Sequence, residues 1–202
     1  VIFTSDNGSN GRNGGSNRPL SGAKGSTMEG GTRVPMIARW PGRISAGSTC
    51  VELATMMDFL PTFCALTGAS RPSQKLDGFD ISELLFGTAN AKSQYEALYY
   101  YRRRQLQAIR YGDWKYHLPL SATHPNWTTS KQTGPGRSGK LVNLKSDLQE
   151  RTDVSAANPE VIKRMEELLK TAVVTLGNDE VRGGEQRDAR TLDSSKSMTL
   201  KE

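Results

Sequence analysis

The feature that most constrains this chain stands at its first residues. Val1-Ile2-Phe3-Thr4-Ser5 is an apolar run, rich in β-branched and aromatic side chains, that passes at once into Asp6-Asn7-Gly8. Such a run reads as a buried strand of the parallel-sheet kind. A carboxylate and a carboxamide then sit at its C-terminal end, where open α/β sheets bind their ligands. No initiator Met, signal peptide or tag precedes the strand in this sequence. A core strand at residue 1 is the mark expected of the C-terminal piece of a larger protein. A processed N-terminus is the alternative, disfavoured because cleavage sites are usually exposed.

Residues 6–32 are rich in Gly, Ser and Asn and poor in apolar side chains. A loop this long inside a compact domain is usually functional or disordered. Asp6 and Asn7 offer two hard oxygen donors, which suits Ca²⁺ or Mg²⁺. The same three residues, Asp-Asn-Gly, are also ordinary chemistry for an Asx turn that ends a strand. Lys24 lies between Gly22 and Gly25. Glycines let a backbone approach a ligand closely, and an ammonium supplies a point charge for an oxyanion. A lysine in a loop is equally at home in water. Several phosphate and calcium motifs are excluded: Gly22-Ala23-Lys24-Gly25 is not a Walker A ending, and the glycines at 8, 11, 14 and 15 do not form GxGxxG. An EF-hand loop beginning at Asp6 fails, with Gly8 at its third position and Asn17 where the bidentate Glu belongs.

Beyond the loop, Val34 to Trp40 reads as a strand stopped by Pro41-Gly42. Asp58 to Leu66 reads as a helix with Asp58 as N-cap, Pro61 in the first turn and Gly68 as its stop. Ile81 to Phe86 is a short helical segment. After Tyr95 come strand candidates at 97–102, 106–111 and 114–118, the last two joined by Gly112-Asp113 in a hairpin-type turn. A Pro/Gly/Ser/Thr-rich surface loop (119–139) and a fourth strand candidate (140–144) follow. Asn158-Pro159-Glu160 opens a helix, with Val161, Met165, Leu168, Leu169, Ala172 and Leu176 on its apolar face. From Gly177 onward apolar residues are few, and residues 178–202 are expected to form a disordered tail.

Charge narrows the classes. Residues 1–95 carry 9 basic and 7 acidic side chains, the remainder 18 and 14, so the net +6 is spread as +2 and +4. No basic arm or stripe argues for nucleic acid. Arg102-Arg103-Arg104 reads as a solvated strand end rather than an anion site. No run approaches the ~18 apolar residues of a membrane span. Cys50 and Cys64 form no CxxC; they could pair in an oxidising compartment or stay as thiols, with Cys64 placed in an apolar helical pattern.

Taken in order, "IFTSDNG", "PLSGAKGSTMEGGTRVPMIARWPGRI", "MMDFLPTFCALTG", "LDGFDISELLFG", "AIRYGDWKYH" and "LVNLKSDLQERTDV" resemble the C-terminal half of the type I sulfatases, the arylsulfatase family. The resemblance runs over about residues 1–176. It implies an α/β fold like that of the alkaline-phosphatase superfamily: a mixed central sheet flanked by helices, here completed by residues 1–95. A smaller α+β subdomain with an antiparallel sheet would occupy 96–177. It implies that Asp6 and Asn7 bind an active-site Ca²⁺ and that Lys24 binds the substrate sulfate. In such enzymes a Cys or Ser in a C/S-x-P-S/A-R motif is oxidised to formylglycine, whose hydrate attacks sulfur. Calcium and cationic side chains neutralise the sulfate oxygens. The implied partners are a sulfated small molecule or polysaccharide and the N-terminal remainder of the same protein, with no nucleic acid and no membrane span. Many relatives are exported or lysosomal, which leans the parent toward a periplasmic, secreted or lysosomal place.

The departures matter as well. Neither Cys50 (before Val-Glu-Leu) nor Cys64 (before Ala-Leu-Thr) stands in the modification motif. The isolated chain is therefore expected to be inactive. His117 and His124 fall outside the catalytic half and receive no catalytic role. Glu29 and Arg33 are expected to pair and shape the loop. Tyr99 to Tyr101, Trp114 and Tyr116 read as sheet surface and core, and Asn126-Trp127-Thr128 as a glycosylation sequon. Two rivals stay open: a phosphodiesterase or phosphonate hydrolase of the same superfamily, and a degenerate, non-catalytic module.

Overall fold

Strand alternation builds the larger sheet. The computed structural model describes residues 1–12, 14–121, 137–179 and 181–188. Strands β1 (Leu98–Arg102), β2 (Gln105–Tyr111), β3 (Trp114–His117) and β4 (Lys140–Asn143) form a four-stranded antiparallel sheet in the order β1-β2-β3-β4. Tyr99, Ile109, Tyr116 and Leu141 are paired across it and line one face. Helix α1 (Pro159–Thr175) covers that face with Met165, Leu168, Leu169 and Ala172, and these residues together make the main apolar core. The expected aromatic residues Tyr99, Tyr101, Trp114 and Tyr116 belong to it. With a period of two, Lys115 and His117 must point to the opposite face.

Arg103 and Arg104 form the turn between β1 and β2, with Arg103 at φ 55°. The basic run thus sits at a strand end. Gly112, at φ 57°, supplies the left-handed residue of the next hairpin. Residues 181–188, grouped with the tail in the sequence analysis, hold hydrogen bonds back to the end of α1. Gly184 N–H donates to Val174 O (2.8 Å) and Glu185 N–H to Thr175 O (2.9 Å). His124, the sequon at Asn126 and residues 189–202 lie outside the described residues.

The first strand differs from expectation. Strand β5 (Ile2–Thr4) pairs antiparallel with β6 (Met36–Ala38), in the register Ile2↔Ala38, Phe3↔Ile37 and Thr4↔Met36. A buried parallel-type strand was expected; the observed pairing is antiparallel and one face is open. Phe3 is 67% and Ile37 64% exposed, and Leu60 and Phe63 of helix α2 (Phe59–Thr67) are 49% and 46% exposed. An apolar run identifies a strand, but it does not specify which partner lies beside it.

Helix α2 follows a 3-10 turn (Met56–Asp58) and ends at Gly68 in the left-handed conformation, φ 72°. Asp58 was expected as its N-cap. Asp58 does stand at the N-cap position of α2, but its side chain makes no capping bond there; it instead completes a capping box with Thr55 at the start of the 3-10 turn. Fully buried, Asp58 accepts hydrogen bonds from Thr55 N–H (2.6 Å), Phe79 N–H (2.8 Å) and the Tyr95 hydroxyl (2.6 Å). Burial, followed by the Asp58 carboxylate, raises the Tyr95 phenol well above its ordinary value. One carboxylate thereby ties α2, the Leu76–Asp80 turn and the segment before β1. Helix α3 (Ser82–Phe86) packs beside α2. Cys64 is a buried free thiol and Cys50 an exposed one.

Asp58→Ala removes the shared acceptor of two part-buried backbone donors and of the Tyr95 phenol. Its expected cost is about 2–4 kcal/mol of unfolding free energy, read by chemical denaturation. A cost below about 0.5 kcal/mol, the range of an ordinary surface change, would sink this role.

Candidate functional site

The loop between β5 and β6 is folded by backbone contact rather than by apolar packing. Ser9 and Asn17 face each other: Ser9 N–H donates to Asn17 Oδ1 (2.7 Å), and Asn17 Nδ2 donates to Ser9 O (2.7 Å) and Gly22 O (3.1 Å). Lys24 N–H also donates to Ser9 O (3.1 Å). Three segments therefore meet at one carbonyl, two residues beyond Asn7.

A four-residue helix, α4 (Glu29–Thr32), closes the loop. Gly8 N–H donates to Gly31 O (3.1 Å), and Gly30 N–H to Ser21 O (2.7 Å). A Cβ on Gly8 would lie 1.8 Å from Gly30 O. Only hydrogen fits at that crossing, so the Asp6-Asn7-Gly8 corner and α4 stack backbone to backbone.

Above this stack is an open cleft of about 690 Å³, lined by Asn7, Lys24, Arg18, Arg33, Asn10 and Asn17 among others. Its lining holds three cations and, among the described residues, no carboxylate. Asp6 is exposed at its edge and accepts a hydrogen bond from Asn7 Nδ2 (2.7 Å). Lys24 is exposed although its backbone is fixed. The structure thus brings Asn7 and Lys24 to one cleft, with Asp6 adjoining. As calcium donors, Asp6 and Asn7 fit in kind, both offering oxygen. They do not fit in number. Among the described residues no three His, Cys, Asp or Glu side chains converge on one point.

Beneath the loop lies a buried charged layer. Lys115 and His117, on the face of the sheet away from α1, are fully buried, as are Glu29 and Glu150. Lys115 Nζ donates to Thr27 O (2.7 Å) and Glu29 Oε1 (2.9 Å) and lies 3.1 Å from Glu150 Oε1. Glu150 Oε2 accepts from Glu29 N–H (2.7 Å), and its other oxygen pairs with His117 Nε2 (2.8 Å). Arg110 approaches Glu29 at 3.9 Å. The expected Glu29–Arg33 pair is therefore replaced: Glu29 turns inward to Lys115, and Arg33 faces the cleft. A carboxylate at the start of a short turn has little to gain from an exposed guanidinium when a buried ammonium is in reach.

Burial, the largest influence, holds the His117 imidazole below its ordinary value, against the opposing hydrogen bond to Glu150. Burial pushes Glu150 up, but the His117 hydrogen bond and the Lys115 charge outweigh it, leaving the carboxyl below its ordinary range. Tyr100, under the Lys115 ammonium at 4.2 Å from its ring centre, is raised well above its ordinary value by burial and then by Glu29.

Residues 1–69 match the Sulfatase family model, and residues 93–193 match the model for the C-terminal region of aryl-sulfatase, in that order along the chain. The chain belongs to the sulfatase family. Human arylsulfatase A is 38% identical over 209 residues, a match covering 92% of this chain and 41% of that protein. The N-acetylgalactosamine-6-sulfatase of Canis lupus familiaris is 40% identical over 123 residues, covering 58% of this chain and 23% of the relative. Among solved structures, the PsFucS1 sulfatase from Pseudoalteromonas sp. matches with a TM-score of 0.67 and 32% identity, over 85% of this chain and 37% of that one. The sulfatase chain described here thus spans well under two thirds of the length of these relatives.

The buried layer is what sequence reasoning missed. The Lys-x-His alternation of Trp114-Lys115-Tyr116-His117 was the available signal, since a strand that buries Trp and Tyr must present Lys and His together on its other side. The titration carries a direct consequence. A neutral, buried His117 stabilises the fold fully above its unfolded value of about 6.5. That contribution is lost as pH falls from there toward the lowered native value. Glu150 stabilises above its unperturbed value of 4.5 and loses its contribution at still lower pH. Urea unfolding from pH 8 to 3 is therefore expected to show stability declining from about pH 6.5 downward, with a second stage below about pH 4.5. His117→Gln is expected to remove the first stage. A wild-type profile flat between about pH 7.5 and 5.5 would contradict the assignment.

Proposed function

We propose that this chain is the C-terminal portion of an enzyme that hydrolyses sulfate esters, and that its cleft supplies part of the sulfate site. The carrying observation is the convergence of Asn7 and Lys24 on a cleft of one charge sign, in a chain whose two halves match the sulfatase models in order. A sulfate ester keeps one negative charge spread over its oxygens, and the charge on the ester oxygen grows as the S–O bond breaks. The Lys24 ammonium meets that charge from a backbone already held by Ser9 O, so that its side chain alone has to be ordered. Arg18 and Arg33 add to the same positive field.

Asp6 and Asn7 would supply two of the oxygen ligands of a calcium ion. When bound, calcium supplies Lewis-acid charge to the sulfate oxygens. The nucleophile, a formylglycine in the family pattern, lies in neither cysteine context of this chain. The names of the relatives span aryl and amino-sugar esters. We read the substrate as a sulfated small molecule or saccharide.

In the intact parent protein, Lys24→Ala is expected to lower kcat/KM for 4-nitrophenyl sulfate about 10²- to 10³-fold, the range for losing one oriented charge stabiliser. Asp6→Ala is expected to weaken calcium binding by calorimetry. The 202-residue chain alone is expected to release no 4-nitrophenol. Unchanged kcat/KM in Lys24→Ala would refute the sulfate role. A parent faster on bis(4-nitrophenyl) phosphate than on the sulfate would favour the phosphodiesterase reading.

A further inference from the structure

We propose that Lys115, with Glu29 and Glu150, is a positioning cluster that sets the conformation of the Lys24 loop from the neighbouring sheet. This deepens the functional reading, and rests on it only in assigning Lys24 to an anion. None of the three residues lines the cleft. They act through the backbone between them and it.

The links can be followed atom by atom. Lys115 Nζ holds Thr27 O and Glu29 Oε1 at 2.7 and 2.9 Å. Glu150 Oε2 holds Glu29 N–H at 2.7 Å. Two milder contacts join the same segment to the sheet: Thr27 Oγ1 donates to Gln107 Oε1 (3.1 Å), and the Tyr100 hydroxyl donates to Glu29 Oε1 (3.3 Å). Residues 27–29 are thereby fixed to β1, β2, β3 and the turn bearing Glu150. From Glu29 the constraint passes through α4: Gly30 N–H to Ser21 O, Gly31 O to Gly8 N–H, and the Gly8–Gly30 crossing that leaves no room for a Cβ. Ser21 and Gly8 flank the two arms of the loop, and Lys24 hangs between them from Ser9 O.

Why the link is ionic also follows. The carboxylates of Glu29 and Glu150 face the Lys115 ammonium and the Arg110 guanidinium, and the Lys140 ammonium donates to the Glu150 carbonyl. A buried ion pair gives little stability beyond a well-packed apolar substitute. Its particular property is direction: one ammonium donates to two chosen oxygens, Thr27 O and Glu29 Oε1, with the Glu150 carboxylate beside it at 3.1 Å. An apolar contact would bury the same area without fixing the orientation of α4.

The test uses the 202-residue chain, with amide exchange and backbone chemical shifts followed by NMR. In Lys115→Met, the amides of Lys24, Gly30 and Gly31 are expected to exchange about tenfold faster or more, while Ile109 and Tyr116 in the sheet stay within about threefold. The Lys24 amide shift should move, and its response to sodium sulfate should shrink. If Lys115→Met does not fold, the double variant Thr27→Val/Tyr100→Phe cuts only the milder contacts. It is expected to accelerate Lys24 and Gly30 about threefold with the sheet unchanged. Loop amides unaltered in a folded variant, or loop and sheet amides accelerated equally, would overturn the positioning role. A wild-type chain whose Lys24 amide ignores sulfate would overturn the anion assignment instead, and the exchange comparison would still decide the cluster.

Discussion

The structure depends on one buried ammonium shared between two buried carboxylates. Lys115 has no solvent to fall back on, so its charge must be met by Glu29 and Glu150. Leaving any one of the three without its partners costs about 3–5 kcal/mol, a large share of the stability of a small domain. Because Glu29 lies in the loop, Lys115 on the sheet and Glu150 in the turn after β4, this requirement forces three distant parts of the chain together. The apolar core beneath α1 could form without the loop. The loop has few apolar residues of its own, and the charge requirement gives it a fixed seat.

From that seat the geometry of the cleft follows. Ser26, Thr27, Met28, Glu29, Gly30 and Gly31 are all buried, whereas Lys24 and Asp6 are exposed. The same segment is thus rigid at its root and open at its tip. Glycine makes this possible, since Gly8 and Gly30 approach closer than any side chain would permit. An exposed lysine on a free loop would spend most of its time in water, and ordering it would cost side-chain entropy at each binding event. Fixing the backbone removes part of that cost beforehand, as electrostatic preorganisation requires.

Much of this was legible in the sequence, for identifiable reasons. The helix at 159–175 declared itself through Pro159 at its first turn and a run of apolar residues at helical spacing. The hairpin at Gly112 declared itself through its turn chemistry. The collinear motifs pointed to the sulfatase family, to which the chain belongs. What stayed hidden was tertiary. The first strand was given a parallel, buried setting, yet its partner is β6, antiparallel, because a run of apolar residues says nothing of register or neighbour. Glu29 was paired with Arg33, four residues away, although its actual partner lies 86 positions on. Lys115 received no role from the sequence. A buried lysine is rare, and it becomes predictable only when two carboxylates are known to meet it.

The distribution of charge carries a last consequence. Arg18, Lys24 and Arg33 share one cleft with no carboxylate among its described lining, and such a field repels itself until an anion enters. Asp6 stands at the edge, tied to Asn7 rather than to any of these cations. A calcium ion takes six to eight oxygens, and Asp6 and Asn7 can give only part of that set. Under the proposed reading the cations would meet the anion and the two oxygens would give part of a metal's shell, along a single stretch of chain. The buried cluster below holds both in register, since Gly8 joins the Asp6-Asn7 corner to the very helix that Glu29 begins.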